Sequence, residues 1–396
     1  MDAVKNPYAP GAGTQPPELA GRDDIRSRIR IALARIRLGR PAKSVLIVGL
    51  RGVGKTVLLY RVCDEADAEG HRSVLMEAPE SRSLPAVLAP RLREALLRLS
   101  TNERARDYAR RALRGLAGFA KALKFKYDDI EVGFDFDPEP GLADNGDLEQ
   151  DLSSLLEVVG KAAQQAETAL CLFVDELQYV AEADLAALVM ALHRAAQRKL
   201  PVTLIGAGLP QLRAQMGRAK SYAERLFDIV EVGALDADAA RRAVEVPAKV
   251  EGVQYMDEAL ESIVEATEGY PYFLQEWGKH AWDVAVASPI SREDVRTASR
   301  LATAALDEGF FRVRLERVTP RQRQYLRAMA ELGSGPHRSG DIARVLGTGS
   351  PSLAPIRSQL IGKGMVWSPG HGDTAFTVPL FDRFMRRTLP DPDWRN

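Results

Sequence analysis

The sequence predicts an α/β fold in which a parallel sheet carries helices on both faces, followed by an all-helical domain and a winged-helix pattern. Three observations carry this expectation. Short apolar strands alternate with helical periodicity from residue 45 to residue 205, a glycine-rich loop joins the first of those strands to the next helix, and the remainder is mostly helical until two short strands near residue 370.

In order along the chain, residues 1–20 hold Asn6, Pro7, Pro10, Gly11, Gly13, Pro16 and Pro17, which punctuate the segment too densely for a helix and predict an extended arm. Ile25, Ile29, Ala32, Leu33 and Ile36 keep helical spacing among arginines until Gly39 and Pro41 stop it. A buried strand follows at 45–48, then the loop 49–56, a helix opened by Val57, Leu58, Leu59 and Val62, a strand at 74–76 and a helix at 84–99. The third strand, 170–174, comes late. Its Asp175 lies 120 residues after Lys55, where two βα units need only about 60. An insertion near 100–150 accounts for the excess.

Charge is segregated within that insertion. Residues 102–126 hold eight basic side chains against two acidic ones, and residues 127–151 hold ten acidic side chains and no basic one. Period-two alternation from Leu123 to Phe136, around Asp128-Asp129, predicts a β-hairpin. A basic surface that meets a partner and an internal ion-paired subdomain both fit this pattern.

A helix at 185–196 leads to strands at 202–205 and 229–232. Helical segments at 236–244, 257–266, 272–285 and 292–306 form the all-α domain, and a break is expected at 309–318. Thr319-Pro320-Arg321-Gln322 then reads as a capping box with Pro at the first helical position. Helices at 339–346 and 353–361 and strands at 365–368 and 374–378 complete the winged-helix pattern. The domains expected are 1–42, an arm and helix; 43–235, the sheet core with its insertion; 236–310, a helical lid; and 311–396, the winged helix.

Composition narrows the function classes. The 396 residues are 45% hydrophobic, and 54 Lys+Arg offset 54 Asp+Glu, which excludes a disordered chain and a uniformly basic coat. The longest apolar run, 185–192, is far short of the roughly 18 residues of a membrane span. The first residues lack an export pattern, so a cytoplasmic protein without membrane association is expected. Cys63 and Cys171 lie in helical or apolar stretches, and the five histidines have no ligand spacing, so neither disulfides nor a Cys/His metal site is expected.

The strongest chemical signal is Gly49-Leu50-Arg51-Gly52-Val53-Gly54-Lys55-Thr56, a complete G-x-x-x-x-G-K-[ST] between a strand and a helix that continues through Val57. Its backbone N–H groups are expected to wrap the phosphates of ATP, with Lys55 reaching the β and γ phosphates and Thr56 binding Mg2+. An accidental glycine-rich turn is the competing reading, and the strand-loop-helix context weighs against it. The second signal is the apolar strand ending in Asp175-Glu176. Asp175 is expected to hold Mg2+ and Glu176 to polarise the attacking water. A strand that merely ends in a solvated acidic pair is the alternative.

Together with Gly21-Arg22-Asp23 and the Gly269-Tyr270-Pro271 of ATEGYPYFLQEW, these motifs resemble the AAA+ and STAND group of P-loop ATPases, in particular bacterial members similar to origin-recognition ATPases. The resemblance covers roughly residues 18–290, and the terminal winged helix fits it. It implies a P-loop NTPase sheet, with Gly21 and Arg22 near the adenine and Pro271 coupling a helical lid to the nucleotide. Arg225, just before a strand, resembles the family's trans-acting arginine finger; a solvated helical arginine is the other reading. Two features depart from the family pattern. Gly206-Ala207-Gly208 stands where a polar γ-phosphate sensor is common, and Lys279 is the only Lys or Arg near Pro271 in the lid helix.

The function expected is an ATP-hydrolysing molecular switch, catalysed through Glu176, Lys55 and Arg225, that assembles into a nucleotide-dependent homo-oligomer and acts on a DNA or protein partner in trans. Two alternatives stay open: a nucleotide-gated scaffold with little hydrolysis, and a DNA-loading factor. Residues 319–396 carry eleven basic and six acidic side chains, which favours phosphate contacts by the winged helix, as does the basic segment 104–126. The face of 353–361 opposite its apolar side shows Ala354, Pro355 and Ser358, with Arg357 toward the apolar edge, and so offers no base-reading arginine.

Overall fold

The computed structural model describes residues 1–11, 13–78, 82–124, 136–390 and 394. The expected hairpin strands fall largely on 125–135 and lie outside the described residues. The chain divides into two compact units, one formed by Arg22–Gly49 and Lys55–Val232, the other by Met1–Gly21, Leu50–Gly54 and Gly233–Asn396.

The first unit runs α1 (Asp23–Arg37), β1 (Ser44–Val48), α2 (Lys55–Ala68), β2 (Arg72–Glu77), α3 (Leu84–Leu99), α4 (Arg106–Leu123), α5 (Leu148–Gln165), β3 (Leu170–Asp175), α6 (Glu182–Gln197), β4 (Val202–Gly208), α7 (Leu212–Ala219), α8 (Ala223–Leu226) and β5 (Phe227–Glu231). The strands form one parallel sheet in the order β2-β3-β4-β1-β5. Parallel strands need crossovers that cover both faces, so strands β3 and β4 are buried throughout and mostly apolar, Thr203 and Asp175 being their polar residues. Ligands of such sheets bind beyond the carboxyl ends of the strands. Here those ends are Val48 and Asp175.

The expected insertion contains the long helix α4, and a second long helix, α5, follows it and leads to β3. α4 buries Ala109, Leu113, Leu116, Phe119 and Leu123, and its Arg111 and Arg114 pair with Glu139 at 3.0 and 3.8 Å. Basic helix thus meets acidic loop. α5 was not expected; Asp147 caps it by accepting from the Gln150 N–H at 2.9 Å.

The second unit contains α9 (Ala237–Val250), α10 (Asp257–Thr267), α11 (Pro271–Val284), α12 (Arg292–Ala305), α13 (Val313–Glu316), α14 (Pro320–Leu332), β6 (His337–Arg338), α15 (Ser339–Leu346), α16 (Ser350–Gly362), β7 (Val366–Trp367), β8 (Asp373–Phe376) and α17 (Phe381–Thr388). The expected break at 309–318 is instead a π-helical turn, Leu306–Arg312, running into α13. Gly309 does not end the helix because Phe310 and Phe311 are buried, with Phe311 stacked 5.2 Å from Phe384. Thr319 and Gln322 form the expected capping box. A third strand, β6, joins β8 and β7 in an antiparallel sheet.

The arm at 1–10 is not free. Within this unit Tyr8 is 3% exposed; its hydroxyl donates to the Val244 carbonyl, and its ring lies against Gly278, where an added Cβ would meet it at 2.7 Å. Asn6 donates to the Lys279 carbonyl and to Asp283 at 3.1 and 2.8 Å.

Candidate phosphate-binding site

In the sheet unit, β1 stops at Val48, and Gly49 donates to the Gly208 carbonyl at 3.2 Å. Helix α2 begins at Lys55. Between them Gly52 and Gly54 adopt φ of 82° and 87°, a left-handed backbone that side-chain-bearing residues adopt at a cost. That is why the motif places glycine there. Lys55 is 6% exposed and engaged. The Thr56 hydroxyl donates to Asp175 at 2.6 Å, and Val57 is half-buried in the first turn of α2.

Asp175 ends β3 and is 5% exposed. Burial raises its carboxyl above the usual range, opposed by the Thr56 hydroxyl, the Glu176 N–H and the Lys55 charge. A hydroxyl and a carboxylate set together beside an ammonium form an oxygen donor set suited to a hard divalent cation such as Mg2+. Glu176 follows at φ 51°, its N–H bonded to Asp175 Oδ1 at 2.8 Å. The left-handed turn points the chain into a short 3-10 helix, Leu177–Tyr179.

Gln178 is a residue the motifs did not single out. It is 5% exposed, and its amide nitrogen donates to Glu176 Oε2. Its amide oxygen accepts from the Leu209 N–H at 3.0 Å, and its carbonyl accepts from Gln215 at 3.1 Å. One amide therefore spans from the end of β3 to the end of β4. Gly206 and Gly208 leave room for this arrangement: a Cβ on Gly208 would meet Gln178 Oε1 at 2.7 Å, and one on Gly206 would meet Leu177 and Leu46 at 2.8 and 2.9 Å. The only sequence signal was a polar residue in the otherwise apolar 177–180.

Arg22 is buried at the amino end of α1. Arg225 lies at the other end of the sheet from Lys55. β1 and β5 are parallel with Ser44 level with Phe227 and Val48 level with Glu231, so Arg225 stands before the amino end of β5 while the glycine loop follows the carboxyl end of β1. A five-residue strand separates those ends by roughly 16 Å.

In the second unit, the loop residues Leu50–Gly54 meet the first turn of α11. Tyr272 donates its N–H to the Gly52 carbonyl at 3.3 Å, and a Cβ on Gly52 would lie 2.9 Å from the Tyr270 ring. Pro271 fills the first position of α11, where its missing N–H costs nothing. Val53 is buried; Leu50 is engaged. The Arg51 guanidinium lies against Gly364, where an added Cβ would meet it at 2.8 Å. Arg314 stacks 3.7 Å over the Phe310 ring, which itself stacks on Tyr272 at 4.7 Å. Burial, and then the Arg51 charge, pushes the Arg314 guanidinium down to about 10. Gly21, at φ 67°, packs where a Cβ would lie 2.9 Å from Ala239.

The cations at the C-terminal end are largely spoken for. Arg357 donates to Thr374, Ser368 and the Asp373 carbonyl at 2.6 to 2.7 Å. Arg327, Arg344, Arg383, Arg386 and Arg387 pair with Glu331, Asp341, Glu268, Asp382 and Asp307. Among the described residues no group of three or more His, Cys, Asp or Glu could hold a metal ion. No helix among them is long and apolar enough to cross a membrane. Cys63 and Cys171 are free and buried.

Residues 18–205 match the family model described as an AAA ATPase domain, and residues 308–385 match a domain of unknown function. No curated protein matches the chain by sequence. Among solved structures, the Walker-type ATPase of Pyrococcus abyssi is similar over 94% of this chain and 97% of its own, at 17% identity and a TM-score of 0.57. The Orc1 protein of Aeropyrum pernix, in complex with DNA, shares 16% identity over 94% of each chain with a TM-score of 0.47. The RuvB Holliday junction branch migration motor of Thermotoga maritima shares 17% identity over 92% of this chain and 96% of its own, with a TM-score of 0.45. Residues 18–205 thus match an AAA ATPase domain, and the five-stranded parallel sheet with a glycine loop opening α2 is the P-loop architecture that this match calls for.

Proposed function

We propose that the protein binds Mg·ATP in the glycine loop and hydrolyses it as a switch whose assembly and lid position follow the nucleotide. The observation that carries this reading is the Thr56 hydroxyl 2.6 Å from Asp175, with Glu176 next in the chain. In this reading Thr56 and Asp175 hold Mg2+, which when bound neutralises phosphate charge. Lys55 binds the β and γ phosphates, and residues 49–54 wrap them with backbone N–H groups. Glu176 orients a water in line with the γ-phosphate and accepts its proton. Gly21 and Arg22 border the adenine, and Pro271, at the start of a helix whose Tyr272 touches Gly52, carries nucleotide state into the lid. Arg225 serves the nucleotide of a neighbouring copy, consistent with its place at the opposite end of its own sheet.

Phosphate release by the wild type, Glu176→Gln and Arg225→Ala tests this reading. Loss in Glu176→Gln, with Arg225→Ala lost only under conditions of assembly, is expected; equal, near-zero rates in all three overturn it. The steric closure of Gly206 and Gly208 to side chains favours slow turnover, which a tightly binding scaffold shares. The domains proposed are the four expected from sequence, with 311–396 as the winged helix on the strength of helices α14, α15 and α16 and the β6-β8-β7 sheet. Internal pairing of that region's arginines favours protein docking over duplex readout. The duplex alternative, through that region or through 104–126, predicts salt-dependent binding in ATP. Absence of binding at low salt removes it.

A further inference from the structure

The sheet unit has a second concavity, at the amino ends of β1, β4 and β5, a strand's length from the carboxyl end of β1. It encloses about 270 Å³, the space of roughly nine water molecules. Its walls are apolar, supplied by Ile36, Leu192, Leu226 and Phe227. Four cations also line it: Arg40 and Lys43 from the α1-β1 connection, Lys199 from the α6-β4 connection, and Arg225 from α8. No carboxylate lines it.

The four cations converge on the hollow from different parts of the sheet unit. Among the described residues none of these four side chains has an ion pair or a side-chain hydrogen bond. Helix C-termini attract cations, which accounts for Arg40 after α1 and Lys199 after α6. It does not account for Lys43 or Arg225, which precede strands β1 and β5. Three separate connections therefore bring exposed positive charge to the rim of one apolar hollow that no carboxylate lines. A mostly apolar concavity with a few convergent polar groups is the usual form of a small-molecule site, and unneutralised like charges around it raise the local concentration of anions.

We propose that this hollow is a second ligand site, for a small organic phosphate ester with an apolar or aromatic body. The body fills the Ile36, Leu192 and Phe227 walls; the phosphate meets the Arg40 guanidinium fork and the Lys43 and Lys199 ammonium groups at the rim, where charge-assisted hydrogen bonds are strongest. The apolar walls select an ester over bare phosphate, and the cations select it over a neutral ring.

The test is calorimetric titration of the full chain with 1-naphthyl phosphate while the glycine loop is filled with Mg2+ and a non-hydrolysable ATP analogue. Saturable one-to-one binding is expected, at least tenfold weaker in Lys43→Ala/Lys199→Ala. It should be abolished in Ala196→Trp, which places a ring in the hollow without changing charge. Retained binding of the ATP analogue shows that both variants are folded. Omitting the ATP analogue should leave naphthyl phosphate affinity unchanged; a loss of binding when the analogue is present assigns the probe to the glycine loop and overturns the proposal. Equal affinity in wild type and both pocket variants also overturns it. So do equal binding of 1-naphthol, which means an apolar hollow only, and equal binding of inorganic phosphate, which means a surface cation cluster only. The readout needs no hydrolysis, so it stands or falls apart from the ATPase reading.

Discussion

Gln178 holds Glu176 with one end of its amide and the backbone of Leu209 with the other, so the carboxylate proposed to orient water is tied to the end of β4. Gln178→Ala is expected to lower kcat about tenfold, or ~1.4 kcal/mol on the barrier, with the ATP dissociation constant unchanged. Gln178→Glu should do worse by setting like charges together. Steady-state phosphate release beside nucleotide titration separates the two quantities; a change in affinity alone would make Gln178 a binding residue instead. Gly208→Ala probes the same link from β4. Its new methyl would sit 2.7 Å from Gln178 Oε1 and 2.9 Å from Leu212, an overpacking that costs about 1–3 kcal/mol, measurable as a lower urea midpoint. At this scale the meeting of Thr56 with Asp175 at the carboxyl end of the sheet was legible, because the two motifs place those residues after β1 and at the end of β3. Gln178, Tyr272 and Arg314 were not, because their partners are set by the fold and no local pattern encodes a contact with a distant strand or loop.

Among the elements, the arm at 1–10 makes the same point. Its prolines and glycines forecast a non-helical segment, and it is one apart from a short 3-10 turn at Ala3–Lys5. They gave no sign that Tyr8 is buried against Gly278 or that Trp282 donates to the Asp2 carbonyl at 2.9 Å. Tyr8→Ala is expected to cost about 3 kcal/mol, within the range for truncating a buried aromatic, read by urea unfolding through Trp277 and Trp282 fluorescence. An unchanged midpoint would mean the arm contributes nothing to the helices it covers. Helix α5 went unread although Asp147 and Gln150 form a cap signal, because the acidic run around them masked the apolar period that begins at Leu148. The π-helical turn at 306–312 went unread for the reverse reason: Gly309 signalled a stop, and burial of Phe310 and Phe311 outweighed the roughly 1 kcal/mol that glycine costs a helix.

For the molecule as a whole, zero net charge conceals an uneven distribution, and the titration of a few buried groups sets how stability follows pH. The chain has five histidines. Two are shifted, both downward and both chiefly by burial: His71, 2% exposed at the start of β2, and His280 on α11. Arg37 adds to the shift at His71 and Lys279 to that at His280, against weaker opposing carboxylates. Each folded site therefore prefers the neutral ring. As pH falls below about 6.5, the ordinary histidine value, the unfolded chain takes up protons that the folded sites still refuse, so stability is full above that value and declines as pH approaches the lowered folded values. Urea midpoints should accordingly drop between pH 7 and pH 5. His71→Phe, which keeps the ring volume and removes the titration, should flatten part of that slope, and combining it with His280→Gln should flatten more. A slope identical in wild type and the double variant would place the acid sensitivity in carboxylate pairs such as Arg26 with Glu65, whose loss sets in at lower pH because the arginine holds that carboxyl below its usual value.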